Sequence, residues 1–519
     1  MIKNRYYALF FALSLAFGVV YIKYMYSYIF HADASAMQVL AQAMVDTKSF
    51  ITHDFYYGNQ LIFLRSSSTI ALALALGYSA YNAFIAGSAL SIAIWATVCL
   101  YCINSAIKNP KLALLLTVCV LFPISSSYDG DYILGQQSHL ANVVCSLSFV
   151  VFLYKYLSES IKKDLALSIL FICLISIETP IRGAFVALTA MIAINLFFKN
   201  KKSIPATIVI VAAMVVSYVI NKSLLIHFGI AQDIISDSKL MSLDAIVDNI
   251  KFISHDYLIA SSPMNLLGGR RILSFASIFY FCGLAYLITI TFYMISKIYS
   301  GVKEVTSLKK QENFDFFDFM KVIAGIGLVV TVSSILILNP DSSRHAIWAF
   351  FILKLCFFYD AYNYIYARKI KFSMTLLLVF VALSSSFFNY MIFNTKNYNH
   401  VYFSDTKSSI KSIESLMKEN NVKYIYSPSF WSVMPLSTLV KGMNAGVITS
   451  SDSNLFVPFK WLTRPSTFNR GGHENVFYLI SDDQDGQALL RKITSEHAVM
   501  LSKTTFGEIW MSKPVWVNN

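Results

Sequence analysis

Long apolar runs separated by short polar joints fill the chain up to about residue 395, after which the pattern changes. A membrane-spanning helix needs about 20 mostly apolar residues, and about eleven such runs are present. They lie near 7–30, 81–104, 112–127, 140–157, 165–179, 183–198, 204–226, 272–296, 320–338, 346–366 and 372–394. Directly after the first run, HADASAMQVLAQAMV (31–45) sets Met37, Leu40, Ala41 and Met44 at helical spacing, with Gln38 and Gln42 on the other face. That pattern predicts a helix lying in the interface plane, with Asp33 or Ser35 as its N-cap. Past 396, SSIKSIESLMKENN places Ile410, Ile413, Leu416 and Met417 on one helical stripe. VKYIYS, AGVITS, NVFYLIS and GEIWMS are β candidates, and DGQALLRKITSEH is a further helix between the last two. A membrane domain over 1–395 followed by a small α/β domain over 396–519 is the expected organisation.

Composition agrees with this class. The 519 residues are 56% hydrophobic and 14% charged, with a mean hydropathy of +0.57, which excludes a soluble domain of this length and predicts a polytopic α-helical membrane protein. The first run is too long and too rich in Tyr and Phe for a cleaved signal and lacks a small-residue cleavage site, so it is expected to be a span. Lys and Arg gather at Lys3/Arg5, Lys108/Lys111, Lys162/Lys163, Lys199/Lys201/Lys202, Lys297/Lys303/Lys309/Lys310 and Arg368/Lys369/Lys371, which are alternate joints. Positive residues stay inside, so the N-terminus is expected in the cytoplasm. The loops 31–80, 128–140 and 228–271, together with the tail, then fall on the far side. The net charge of +13 is mostly this topology signal and not a nucleic-acid footprint. Cys99, Cys102, Cys119, Cys145, Cys173, Cys282 and Cys356 all fall within apolar runs, which supports neither a disulfide scaffold nor a zinc site. No internal repeat and no glycine-rich nucleotide loop is present, which argues against an ATP-driven pump.

The outer joints carry the candidate chemistry. Asp33 follows the first run with His31 beside it, and THDFYYGNQLIFLRSSS adds His53, Asp54 and Arg65. YDGDYILGQQSHLAN brings Asp129, Asp131 and His139, ETPIRG brings Glu178 and Arg182, and NPDSSRH brings Asp341, Arg344 and His345. The fourth outer loop contributes His255, Asp256, Arg270 and Arg271. Each has an ordinary structural use: Asp33 as a helix cap, Asp129 and Asp131 as turn formers around Gly130, Arg182 as a partner for Glu178, and the arginine pair snorkelling to headgroups. Lys23, Lys354 and Asp360 lie inside runs, where charge is costly and usually purposeful. Lys23 and Asp360 sit near run ends. Lys354 is deeper, and a phosphate or a carboxylate on a neighbouring helix is its natural partner.

An acidic residue just past the first span, interfacial helix pattern in a long first outer loop, about eleven spans and an exported tail together resemble the GT-C class of glycosyltransferases, over nearly the whole chain. Within that class the size and tail are most similar to bacterial enzymes that modify O-antigen or related surface glycans, the serotype-converting glucosyltransferases among them. The resemblance implies transfer of a sugar, glucose being one candidate, from a polyprenyl-phosphate donor to a hydroxyl of a glycan or glycolipid. It also implies inversion, the periplasmic face of a bacterial inner membrane, and partners limited to donor lipid, acceptor and membrane lipids, with no nucleic acid. The class commonly shows an acidic pair where this chain has HAD, so Asp33 is the candidate base and Asp54 its competitor. A carboxylate takes the acceptor proton, and cations hold the departing phosphate. On that scheme Asp54, Asp129, Asp131 and His139 shape the acceptor side, and Arg65, Arg182, Arg344 and His345 grip the donor phosphate. No cofactor is expected, since enzymes of this class with lipid-monophosphate donors generally work without a metal. In the tail, Trp431, Trp461, Arg464 and Arg470 suit either a sugar-facing surface or a domain core. Two rivals stand beside this reading: an O-antigen polymerase or ligase, which typically puts its large loop late in the membrane domain, and a lipid-linked glycan flippase or transporter, which places charge at mid-membrane on broken helices.

Overall fold

The computed structural model describes residues 4–58, 60–196, 201–228, 241–261, 275–307, 315–338, 343–367, 404–450, 455–469 and 475–517. The run 372–394, the joint residue Asp341, and Arg270, Arg271 and Arg470 lie outside the described residues. Most of what is described is helical, and six helical stretches are long and apolar enough to cross a membrane: Asn4–Tyr28, Ala80–Ile107, Leu140–Glu159, Ser203–His227, Phe316–Ile337 and Arg344–Ala367. Pro110–Leu121, Pro180–Leu196 and Leu284–Ser300 are apolar but shorter. The chain is a membrane protein with a small C-terminal sheet.

Two compact units divide it: Met1–Leu15 with Ile92–Ser223 and Ser236–Phe393, and Ala16–Ser91 with Leu224–Ile235 and Asn394–Asn519. Helices α1 (Asn4–Val20) and α4 (Ala80–Ile107), and the last turn of the helix Ser203–His227, have residues in both.

In the first unit, α5 (Pro110–Leu121) begins with Pro110 in its first turn, and the Asn109 side chain accepts the Leu112 N–H. The expected span 112–127 is cut short here, because Pro123 disfavours helical backbone at Phe122 and cannot donate its own N–H. The chain then winds into a wide π-type segment, Ser126–Gly135, where the second outer loop was expected. Helices α6 (Leu140–Glu159) and α7 (Lys162–Glu178) form a hairpin pinned by the Lys155–Asp164 ion pair at 3.3 Å and by the Ser168 hydroxyl donating to the Phe149 carbonyl at 3.0 Å. α8 (Pro180–Leu196), α9 (Ser203–His227), α11 (Phe275–Ser307), α12 (Phe316–Leu338) and α13 (Ile347–Ala367) complete the bundle. The fourth outer loop contains another helix, α10 (Leu243–Ser261), tied to the end of α12 by the Met241 N–H on the Ile337 carbonyl at 3.0 Å.

In the second unit, α2 (Ala32–Thr47) and α3 (Ser67–Ala75) pack together, and α3 crosses the start of α4 at Gly87. A Cβ at Gly87 would stand 2.4 Å from the Ile70 Cα and N, so only glycine allows the backbones this close. Glycine inside a helix costs about 1 kcal/mol relative to alanine, yet here the contact outweighs propensity. Gly87→Ala is therefore expected to destabilise by about 1–3 kcal/mol, visible as a lower thermal midpoint in detergent.

The tail builds one sheet in the order β3-β2-β1-β4-β6-β5, from β1 (Tyr424–Ser427), β2 (Asn444–Ser450), β3 (Phe456–Pro458), β4 (Val476–Ile480), β5 (Val499–Thr504) and β6 (Gly507–Ser512). β1 runs parallel to β2 and β4, and the outer pairings are antiparallel. Helices α14 (Ser404–Asn420), α15 (Phe430–Leu439) and α16 (Gln484–Ser495) accompany it. Tyr426, Tyr478, Phe468 and Trp516 anchor its core, with the Tyr426 and Trp516 rings 4.0 Å apart between centroids. Trp516 is thus core, whereas Trp431 is exposed. The tail was expected as a domain apart from the first loop; instead the two belong to one compact unit.

Candidate functional site

The start of α2 does not follow the expected cap. His31 is the N-cap, and its Nδ1 accepts the Asp33 N–H at 3.2 Å. In the neutral ring the proton therefore sits on Nε2, which lies 3.4 Å from the Tyr26 hydroxyl. Asp33 falls in the first turn, half-buried, where the helix N-terminus favours negative charge. Ser35 is fully buried instead, its hydroxyl donating to the Met434 carbonyl at 2.8 Å and meeting the Thr438 hydroxyl, both on α15. Gln38 is buried too, and its Oε1 accepts from the Thr438 hydroxyl at 3.3 Å. Both faces of α2 are covered by protein, which overturns the expectation of a helix lying in the interface plane. Its stripe was real, but the Gln side found a polar partner in α15.

Asp54 gives up its candidacy as acceptor-side group or substitute base. Its carboxylate accepts four hydrogen bonds, from Arg464 Nε at 2.9 Å and Nη2 at 2.6 Å and from the Ser466 N–H at 2.9 Å and hydroxyl at 2.8 Å. Arg464 also meets Asp46 at 2.8 Å through Nη1, so one guanidinium joins the end of α2, the first loop and the tail. The strands of chain beside it pair as well: the Tyr56 N–H donates to the Thr463 carbonyl and the Leu462 N–H to the Tyr56 carbonyl. Gly58, at φ +65°, lies under Trp461, whose ring a Cβ would meet at 2.7 Å. Arg65 is buried and donates to the Gln60 side chain, while His53 is exposed.

Tyr57, buried in the same loop, accepts the Thr52 N–H at 3.0 Å. Burial pushes its hydroxyl up to about 12, and the Thr52 hydrogen bond only partly opposes this. A value raised in the fold means stability that is whole below the unfolded value near 10 and is lost as pH rises through about 12. The loss is about 3 kcal/mol. An alkaline unfolding series read by fluorescence checks this, and Tyr57→Phe is expected to flatten it across that window.

In the helical unit, Asp129 and Lys354 form a buried ion pair at 2.9 Å. Asp129 Oδ2 also accepts the N–H groups of Ile124 at 3.2 Å and Ser125 at 2.9 Å, and Lys354 also donates to the Phe122 carbonyl at 3.1 Å. Asp129 is thus a turn former and a charge partner at once, and the carboxylate sought for Lys354 is identified. Asp131 accepts from the Gln136 amide at 3.2 Å. His139, which caps α6, is brought to Arg182, with Nε2 3.4 Å from Nη2, and Arg182 also reaches the Ser138 carbonyl at 3.4 Å. Arg344 and His345 lie half-buried in a tight turn, Ser343–Ala346, that leads into α13.

One cavity opens on the ion pair, and a second adjoins the first. One of about 50 Å³ is lined by Asp129, Lys354, Ser125 and the aromatic rings of Tyr128 and Tyr286. The other, about 500 Å³ and almost wholly apolar, runs between α10, α11 and α12. Tyr257, Met294 and Phe350 line both, and Phe350 stacks on Tyr128 at 5.6 Å and on Tyr257 at 5.2 Å. The larger cavity falls within the size range of small-molecule pockets. The larger chamber can hold a hydrocarbon tail. Among the described residues, no group of three His, Cys, Asp or Glu side chains is placed to hold a metal ion. Sequence reasoning missed Arg464 as the partner of Asp54; the sole signal was an unbalanced carboxylate in the first loop and an unbalanced arginine in the tail.

No protein-family model matches the chain, and no curated protein matches it.

Proposed function

We propose that this chain is a GT-C-like membrane glycosyltransferase with about eleven spans, a cytoplasmic N-terminus and a periplasmic tail. It moves a sugar from a polyprenyl-phosphate donor to a hydroxyl of O-antigen or another surface glycan or glycolipid on the outer face of a bacterial inner membrane. Asp33 accepts the acceptor proton, and Arg182, Arg344 and His345 stabilise the phosphate that leaves. The observation that carries the reading is the mostly apolar cavity of about 500 Å³ between α10, α11 and α12, which has room for a lipid chain and shares Tyr257, Met294 and Phe350 with the small chamber at Asp129 and Lys354.

A lipid-linked glycan flippase is the second reading, favoured by one observation: Asp129 sits on a broken helix and pairs with a lysine inside a span. Lys354 lies about 10 Å from the start of α13, nearer the middle of the 21-residue helix than that end, which is the placement this second reading calls for. Purified protein in proteoliposomes, given labelled polyprenyl-phosphate sugar and acceptor glycan, is expected to form glycosylated product. Movement of label across the bilayer with no product would instead establish the flippase.

A further inference from the structure

The tail-containing unit holds a cavity that none of the roles above uses. It has a volume of about 310 Å³ and lies between α2 and the sheet, lined by Gln38, Gln42, Asp46, Ser437, Asn444 and Arg464 among others. Its charges are already matched inside the protein: Arg464 is held by Asp46 and Asp54, and Asp46 Oδ1 also accepts the Gln42 amide at 2.8 Å. An anion entering here would meet no net positive charge. What the walls offer is neutral and two-sided.

Gln38 is 3% exposed, and its one side-chain hydrogen bond among the described residues is the one its Oε1 accepts from Thr438. Its amide N–H groups are therefore left to the cavity, where a guest oxygen can accept from them. The half-buried Asn444 side chain adds a donor and an acceptor that no described residue engages. Amides paired with hydroxyls suit groups that donate and accept at the same atom, which is the chemistry of sugar hydroxyls. The volume accommodates roughly one or two sugar rings, at the lower end of the ligand-pocket range.

We infer that this cavity binds an uncharged carbohydrate through the amides of Gln38 and Asn444. It does not depend on the transfer reading, since binding alone is required. The full chain in lipid nanodiscs, without donor lipid, is probed on an array carrying uncharged and anionic oligosaccharides. At least one uncharged oligosaccharide is expected to bind, and Asn444→Leu is expected to weaken that binding about tenfold or more with an unchanged thermal midpoint. Gln38→Leu, close in shape, is expected to do the same; should it fail to fold, the half-buried Asn444 variant still decides. Binding of anionic glycans alone, binding of none, or binding indifferent to Asn444→Leu would overturn the inference. Glycan binding together with failed transfer in the proteoliposome assay would leave this site standing and remove the transferase reading alone.

Discussion

Asp33→Asn is expected to slow sugar transfer by about 10²–10⁴-fold, the contribution of a positioned general base. The amide keeps the shape of the carboxylate but cannot take the acceptor proton. The bond that starts α2 runs from the Asp33 backbone N–H to His31 Nδ1 and is kept in the variant, and asparagine retains one acceptor oxygen at the same place. Losing a negative charge in the first turn costs about 0.3–1 kcal/mol, too little to unfold a domain. Rates of label transfer with saturating donor, set beside the thermal midpoint, make the check. A variant that transfers at the wild-type rate would remove Asp33 from the mechanism, and Asp54 would not replace it, since its oxygens are filled by Arg464 and Ser466.

Asp54→Ala is expected to cost the tail-containing unit about 3–5 kcal/mol, the penalty for removing one member of a buried charge pair. Asp54 is 7% exposed, and its removal leaves both the Arg464 fork and the Ser466 N–H short of an acceptor. Arg464 retains Asp46, which is more exposed, so the loss is expected toward the lower end of that range. Asp54→Ala combined with Arg464→Met is expected to lose less than the two single changes summed, because the buried guanidinium goes with its partner. Thermal unfolding and protease cleavage within 53–66 read the effect. Equal midpoints for wild type and Asp54→Ala would show that this network holds nothing together.

The apolar helices were legible in the sequence because lipid accepts only backbone that satisfies itself, which forces long uninterrupted apolar runs. β1, β2, β4 and β6 were legible from their β-branched and aromatic residues. β3 was not: FVP is short and ends in proline, and only its pairing with Ser450 through Ile448 makes it a strand. α15, FWSVMPLSTL, carries a proline inside and reads as surface, yet its small hydroxyl residues are what α2 packs against. The early end of α5 had a written cause in Pro123, but an apolar count passes over a single residue.

Charged residues in the sequence marked candidate polar groups and, through the placement of Lys and Arg, an expected orientation. Their partners were beyond its reach. Asp54 and Arg464 stand 410 positions apart and Asp129 and Lys354 225 apart, and a single sequence contains no term that couples such positions. By itself the chain determined what is greasy, what is helical and where a sheet begins, since those follow from local period and solvent. Only the tertiary structure decided how Asp54 and Asp129 are held, because that depends on the donors the fold delivers to each one.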